Sequence, residues 1–158
     1  MRIDVFLRES PMFAVNRAAR RFEALCAESL AGDKLSFLDA LLLAATFFEA
    51  PRPVRPSQLA DTFATTRGNV SHCVSTLEAK GLLHRRIDPE DARAYQLTLT
   101  PPGKRCALRA IAALDRLQQA FEEEIGKAAL RETVRNIRRM EVLFSRRSLA
   151  PGPGSQRM

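Results

Sequence analysis

The side chains best suited to bind another molecule lie between Gln58 and Arg93, along a predicted helix and a predicted hairpin. The helix carries apolar residues three and four positions apart, and this spacing defines its buried side. That side is formed by Val70, Cys73, Val74 and Leu77. The opposite side carries Thr66, Arg67, Asn69, Ser71, His72, Ser75 and Thr76. Because arginine and asparagine pair with base edges and hydroxyl groups bind phosphate, this face is typical of contact with double-stranded DNA.

Any solvated helix also presents an outward polar face, so the flanking elements decide between the two interpretations. A short helix containing Leu59 and Phe63 precedes the face, and Gly81 ends it where a left-handed backbone is needed. Two short predicted strands, at 82–88 and 94–100, then enclose a charged tip. A helix-turn-helix followed by a basic hairpin, or wing, favours entry into a major groove and its neighbouring minor groove.

The wing carries further cationic groups. Arg93, at its tip, could enter a minor groove, where the electrostatic potential of DNA is most negative. Asp91 could form an ion pair with Arg93 and fix its direction; an ordinary surface salt bridge is the alternative interpretation. Arg85 and Arg86 point to opposite faces of the first strand, so at least one of them should meet the phosphate backbone.

The flanking sequence predicts the helices that position this segment. A hydroxyl residue followed by proline marks helix starts at Ser10–Pro11 and Thr100–Pro101. Ser36 and Asp39 predict a capping box at the start of an apolar central helix. Gly126 separates a long helix from a last one.

Length and charge are consistent with this organisation. The chain has 158 residues, 46% of them hydrophobic, which suits one compact domain with an oligomerisation element. Its net charge is +7, and the positive excess begins at residue 52, where the helix-turn-helix region starts. This distribution favours a polyanionic partner. The chain has neither a signal-peptide pattern nor about 18 consecutive apolar residues, so we expect a cytoplasmic protein that does not enter a membrane.

The cysteines and histidines offer weaker hypotheses. Cys26 and Cys73 fall on buried stripes and are expected in the core. Cys106 lies near a helix N-terminus beside Lys104–Arg105, where a thiolate would be stabilised, so it is the candidate redox thiol. The two histidines are twelve positions apart without further ligand spacing, and no catalytic motif occurs. The sequence therefore predicts no metal, no cofactor and no enzymatic activity.

A series of short motifs runs through this region without a gap. They are Leu59–Ala60, Thr66–Arg67, Val70–Ser71, Leu77–Glu78, Lys80–Gly81–Leu82, Arg85, Asp88–Pro89, Asp91–Ala92–Arg93, Leu99–Thr100 and Gly103. Together they resemble the MarR family of bacterial transcription regulators, and the resemblance covers about residues 36–105. The sequence departs from the family pattern at Ala64, where a turn glycine is usual, and at His72, where an arginine is common.

The resemblance implies a homodimer in which the first and last helices intertwine and hold two winged lobes against a pseudo-palindrome. It also implies that a small molecule could bind between the dimer helices and the DNA-binding lobe. Phe22, Phe47 and Phe48 could line that cavity, but we expect them to be plain core residues.

We therefore expect a mainly α fold with a two-stranded β-wing. The expected parts are an N-terminal dimerisation helix (1–35), a winged helix-turn-helix lobe (36–105), C-terminal dimerisation helices (106–148) and a disordered tail (149–158). The expected function is that of a dimeric DNA-binding regulator, a repressor, released by a small-molecule effector. Two alternatives stay open: a winged-helix module that binds protein rather than specific DNA, and a regulator that senses redox state through a thiol.

Overall fold

The computed structural model describes residues 2–148, with side chains described for residues 3–143. Within this range the chain forms seven α-helices, one short 3-10 turn and one two-stranded antiparallel sheet, so the predicted mainly α winged-helix fold is confirmed. The elements are α1 (Arg2–Glu9), α2 (Pro11–Ser29), the 3-10 turn (Ala31–Asp33), α3 (Phe37–Phe48), α4 (Pro56–Thr62), α5 (Arg67–Ala79), β1 (Leu83–Ile87), β2 (Tyr95–Leu99), α6 (Pro101–Ile125) and α7 (Lys127–Ser148).

The chain divides into two compact units, one up to Leu114 and one from Asp115 onward, and α6 contributes to both. The first unit contains α1 to α5, the wing and the beginning of α6. The second contains the rest of α6 and α7. The predicted disordered tail, residues 149–158, lies outside the described residues.

Helices α2 and α3 begin at the positions that their capping residues predict. The Ser10 hydroxyl accepts the N–H of Phe13 at 3.3 Å, just before α2. At the start of α3 the capping box is complete, because Ser36 accepts the Asp39 N–H at 3.1 Å and Asp39 accepts the Ser36 N–H at 3.0 Å. Helix α1 was not predicted from the sequence, since it is short and lies before the first recognisable cap.

The core of the first unit lies between α3, α5 and the base of the wing. It consists of fully buried leucines and valines, because α3 is apolar on most of its circumference. These residues are Leu42, Leu43, Val70, Val74, Leu77, Leu83 and Leu97. This core fixes which side of α5 faces inward and therefore which side is left for a partner.

The wing is a regular hairpin whose register runs from Leu83 opposite Leu99 to Ile87 opposite Tyr95. Each strand is one residue shorter at both ends than predicted. An isolated bridge adds a third segment beside the middle of β2, where the Leu97 N–H donates to the Val54 carbonyl at 2.9 Å. Within residues 2–148, no helix combines the length and the apolar composition that a bilayer crossing requires.

Candidate nucleic-acid interface

The outward side of α5 is the first component of the interface. Arg67, Asn69, Ser71, His72 and Ser75 are all exposed, whereas the apolar stripe of the same helix is buried. The structure thus places the predicted contact residues on one accessible face.

Two threonines organise the first turn of this helix. The Thr66 hydroxyl accepts the Asn69 N–H at 3.1 Å, and Thr66 is itself exposed. The Asn69 side-chain amide donates to the Thr65 hydroxyl at 3.1 Å. Asn69 is therefore held at the helix start, which leaves its amide oxygen available to a partner.

The turn that leads into α5 keeps a left-handed conformation without a glycine. Ala64 has φ of 49°, in the region where an L-residue is strained by about 1–2 kcal/mol. The Thr65 N–H donates to the Ala60 carbonyl at 3.0 Å and holds the turn in place. A local backbone hydrogen bond thus accompanies the helix-turn-helix geometry at the alanine.

The two arginines of β1 have different environments. Arg85 forms an ion pair with Glu78 of α5, with Nη2 and Oε2 2.6 Å apart and Nε and Oε2 2.8 Å apart. The Arg85 guanidinium lowers the pKa of the Glu78 carboxyl below its ordinary value. Arg86 is exposed, and among the described residues it has no ion-pair partner. Arg86 is therefore the freer cation for a phosphate contact.

The wing tip differs from the predicted side-chain ion pair. Asp91 Oδ1 accepts the backbone N–H of Arg93 at 3.0 Å, and among the described side chains the two form no salt bridge. The reason is local, because an aspartate readily accepts an N–H two residues ahead of it. The contact still shapes the tip, and it leaves the exposed Arg93 guanidinium unpaired.

A second aspartate, which sequence reasoning passed over, anchors the tip. The Asp88 side chain is fully buried, and its Oδ2 lies 2.7 Å from Nε of Arg55. Its Oδ1 accepts the Glu90 N–H at 2.9 Å. The Glu90 N–H and then Arg55 hold the pKa of Asp88 below its ordinary value, although burial opposes them. Only the position of Asp88 within a Pro-containing acidic tip could have suggested a structural role.

The environment of Cys106 contradicts the predicted thiolate. This residue is 2% exposed, and burial together with the neighbouring Asp33 carboxylate raises the pKa of its thiol. These effects outweigh the nearby cations. Asp33 is also tied to Arg109, whose Nε lies 3.0 Å from Oδ2 of the aspartate. A protonated, enclosed thiol is a poor redox sensor.

The other two cysteines are also buried, as predicted. Burial raises the pKa of Cys26. Burial and the carboxylate of Asp39 raise the pKa of Cys73 to about 12. The side chains described here contain no group of three histidine, cysteine, aspartate or glutamate residues that could hold a metal ion.

A cavity of about 350 Å³ lies between the end of α3, the turn that follows it and β2. Its lining includes Thr46, Phe47, Leu97, Leu99 and Lys104. Phe47 therefore faces a cavity and is only half-buried.

The other two phenylalanines differ from Phe47. Phe48 is 68% exposed, which contradicts the expected core role for this residue. Phe22 packs edge-on against Phe37, with ring centroids 5.2 Å apart.

Comparison with known proteins supports a transcriptional role. Residues 50–95 match the family model described as the MarR family. A protein of Thauera aromatica, named as a candidate transcriptional regulatory protein for the hcr operon, is 36% identical over 72 residues, which are 46% of this chain and 43% of that protein. The chain thus matches less than half of that relative. The Bacillus subtilis HTH-type transcriptional regulator YdcH is 29% identical over 114 residues, which are 71% of this chain and 78% of YdcH.

Solved structures share the fold. The DNA complex of Staphylococcus aureus MepR has a TM-score of 0.78 at 16% identity and covers 84% of this chain and 97% of MepR. BldR of Sulfolobus solfataricus, a transcriptional regulator, has a TM-score of 0.72 at 26% identity, covering 90% and 98%. Bordetella bronchiseptica BpsR, whose DNA binding is regulated by 6-hydroxynicotinic acid, has a TM-score of 0.75 at 22% identity, covering 84% and 94%.

Proposed function

We propose that this chain, which is similar to the MarR family over residues 50–95, is a transcriptional regulator that represses transcription as a homodimer bound to a pseudo-palindromic operator. The observation that carries the proposal is the exposure of the polar side of α5 together with that of the wing arginines Arg86 and Arg93. In a twofold dimer the two α5 helices would enter major grooves about one turn of DNA apart, roughly 34 Å.

Each side chain of this surface has a proposed role. Arg67, Asn69 and His72 face the base edges, where guanidinium, amide and imidazole groups form hydrogen bonds. Thr66, Ser71 and Ser75 contact phosphates through their hydroxyl groups. In the wing, Arg86 contacts the backbone and Arg93 enters the minor groove, while Arg85 contributes only if its ion pair with Glu78 opens.

The proposed dimer uses the terminal helices, residues 1–35 and 106–148, around the DNA-binding lobe at 36–105. Exposed apolar side chains on these helices support this assignment, because a large apolar surface commonly marks an interface. They are Ile3, Val5, Phe6, Met12, Phe13, Leu25, Leu108, Ile125, Val134, Val142 and Leu143. A regulator of this kind acts where the bacterial chromosome is, so we place it in the cytoplasm.

The cavity beside Phe47 is the proposed effector site. Its walls are apolar, while Arg52 and Lys104 in the lining supply cations that suit an acidic ligand. The regulation of BpsR by 6-hydroxynicotinic acid supports effector control of this kind. A ligand here would act only through its different affinity for the DNA-bound and the free dimer.

The test is fluorescence anisotropy of the full chain on DNA upstream of its own gene, measured over a series of salt concentrations. We expect tight binding that weakens with salt, and a loss of about tenfold for Arg93→Ala, in the range of about 1–3 kcal/mol for a specific arginine contact. The matched control is Arg105→Ala, which removes the same charge from another exposed position of the first unit.

Feeble binding that is equal on random DNA and insensitive to salt would contradict the proposal. It would favour the alternative winged-helix module that binds protein. An equal loss for Arg93→Ala and Arg105→Ala would reduce the role of the wing to a general effect of charge.

A further inference from the structure

Arg55 stands at an unusual place in this fold. It is the residue immediately before α4, where serine, threonine, aspartate or asparagine normally caps the helix. A guanidinium has no acceptor and cannot fill this role. The backbone N–H of Arg55 donates to the Gln58 side chain at 3.2 Å, while its own side chain extends to the wing.

The contact that Arg55 makes there is the buried carboxylate of Asp88. Asp88 follows the last residue of β1 and precedes the turn of the tip. One oxygen of the carboxylate accepts Nε–H of Arg55 at 2.7 Å, and the other accepts the Glu90 N–H at 2.9 Å. A single carboxylate therefore joins the segment before α4 to the turn of the wing tip.

Backbone bonds connect this carboxylate to the residue that we assign to the minor groove. The Asp88 N–H donates to the Ala94 carbonyl at 2.9 Å, and the Ala94 N–H donates to the Asp91 carbonyl at 2.8 Å. Asp91 in turn accepts the Arg93 N–H. The position of Arg93 thus depends on where Asp88 is held.

The hydrogen bonds of the sheet stabilise the paired part of the wing but do not extend to its tip. A two-stranded hairpin is marginally stable by itself, and its third backbone partner, Val54, bonds to Leu97 in the middle of β2. Beyond the last paired residues, Ile87 and Tyr95, the contact between Arg55 and Asp88 fastens the tip to the rest of the lobe. Without the arginine, the buried carboxylate would lose a charged partner and move toward water.

We propose that Arg55 is a positioning residue for DNA binding, which holds the wing tip in the position from which Arg93 can enter the minor groove. The proposal rests on the proposed function, because it assigns the effect of Arg55 to the wing–DNA contact. The rival assignment is direct contact of Arg55 with a phosphate, since its side chain is 37% exposed.

A double-mutant cycle separates these two roles. Arg55→Gln, Arg93→Ala and the double variant are compared by fluorescence anisotropy on the same DNA. We expect Arg55→Gln to weaken binding at least threefold in the otherwise native chain, and less than twofold when Arg93 is already alanine. Losses that multiply in the double variant, or no loss for Arg55→Gln alone, would overturn the proposal.

A second measurement needs no DNA and uses the protein's single tyrosine. Tyr95 is paired with Ile87 at the outer end of the wing, and the chain has no tryptophan, so tyrosine fluorescence reports the wing alone. In time-resolved anisotropy, Arg55→Gln should increase the fast depolarisation of Tyr95, whereas the control Arg105→Gln should not. A Tyr95 signal as rigid as in the native protein would refute the anchoring.

The two measurements fail independently. If the native protein binds no DNA but Tyr95 is released by Arg55→Gln, then the proposed function fails while the anchoring of the wing stands. If the native protein binds DNA and Tyr95 is unaffected, then only the role of Arg55 fails.

Discussion

Replacing Gly103 by alanine tests how the wing is joined to α6. A Cβ at this position would lie 1.7 Å from the carbonyl oxygen of Leu82 and 2.7 Å from its carbonyl carbon. That carbonyl is not free to move, because it accepts the Thr100 N–H at 3.1 Å at the start of α6. Since a carbon approaches a carbonyl oxygen to about 3.3 Å, the first turn of α6 and Leu82 must separate by roughly 1.6 Å.

This displacement has a calculable cost. Overpacking of a closed site costs about 1–3 kcal/mol. The shift also weakens the bond from Thr100 to Leu82, worth about 1 kcal/mol. We therefore expect Gly103→Ala to lower the free energy of unfolding by about 3 kcal/mol, which corresponds to a fall in Tm of about 6–12 °C for a chain of this size.

The assay is urea unfolding followed by circular dichroism, with Gly68→Ala as the matched control. Gly68 lies in the first turn of α5, and its added Cβ would meet only the Thr66 hydroxyl at 3.8 Å. Alanine should stabilise that helix by up to about 1 kcal/mol, so the two identical substitutions have opposite signs. If Gly103→Ala were within about 0.5 kcal/mol of the native protein, the close approach of α6 to Leu82 would not constrain the fold.

Two further predictions concern the titratable groups. Glu78→Gln should release Arg85 so that it can contact a phosphate. The slope of the logarithm of the DNA-binding constant against the logarithm of the salt concentration should then become steeper by about 0.9 per lobe. An unchanged slope would show that Arg85 does not reach DNA. Burial keeps the Cys73 thiol protonated in the folded chain. The contribution of this thiol to the free energy of unfolding is therefore complete below the ordinary thiol pKa of 9.0. It is lost as the pH rises toward the raised pKa of about 12. Urea unfolding of Cys73→Ser against the native chain from pH 8 to 11 measures this loss, which should disappear in the variant; an identical pH dependence in both proteins would refute it.

The parts of the fold that the sequence predicted correctly depend on neighbouring residues. The capping box of Ser36 and Asp39 is complete within four residues. Gly81 adopts φ of 67° just after α5, as its position past the last apolar residue of that helix predicted. The periodic stripe of α5 identified the buried side because burial repeats with the helix turn. Such signals survive in a single sequence because each one lies inside a single element or at its end.

The parts that the sequence did not predict depend on residues far apart in the chain. Asp88 and Arg55 both occur in polar segments, and only the folded lobe brings the carboxylate against the guanidinium. The pKa of Cys106 is likewise determined by burial and by Asp33, which belongs to the turn after α2. The neighbours of Cys106 in sequence, a helix N-terminus and two cations, predict a lowered thiol pKa, whereas burial and Asp33 raise it.

The same long-range contacts change how the charge of the lobe should be understood. Net charge counts every arginine equally, but Arg55 and Arg85 neutralise Asp88 and Glu78 within the protein. These ion pairs connect the wing to the segment before α4 and to α5. The guanidinium groups that the proposed interface leaves for DNA are those of Arg67, Arg86 and Arg93, which are exposed and have no ion-pair partner among the described residues. We therefore expect the affinity for DNA to depend less on the total charge than on how rigidly the paired arginines hold the unpaired ones.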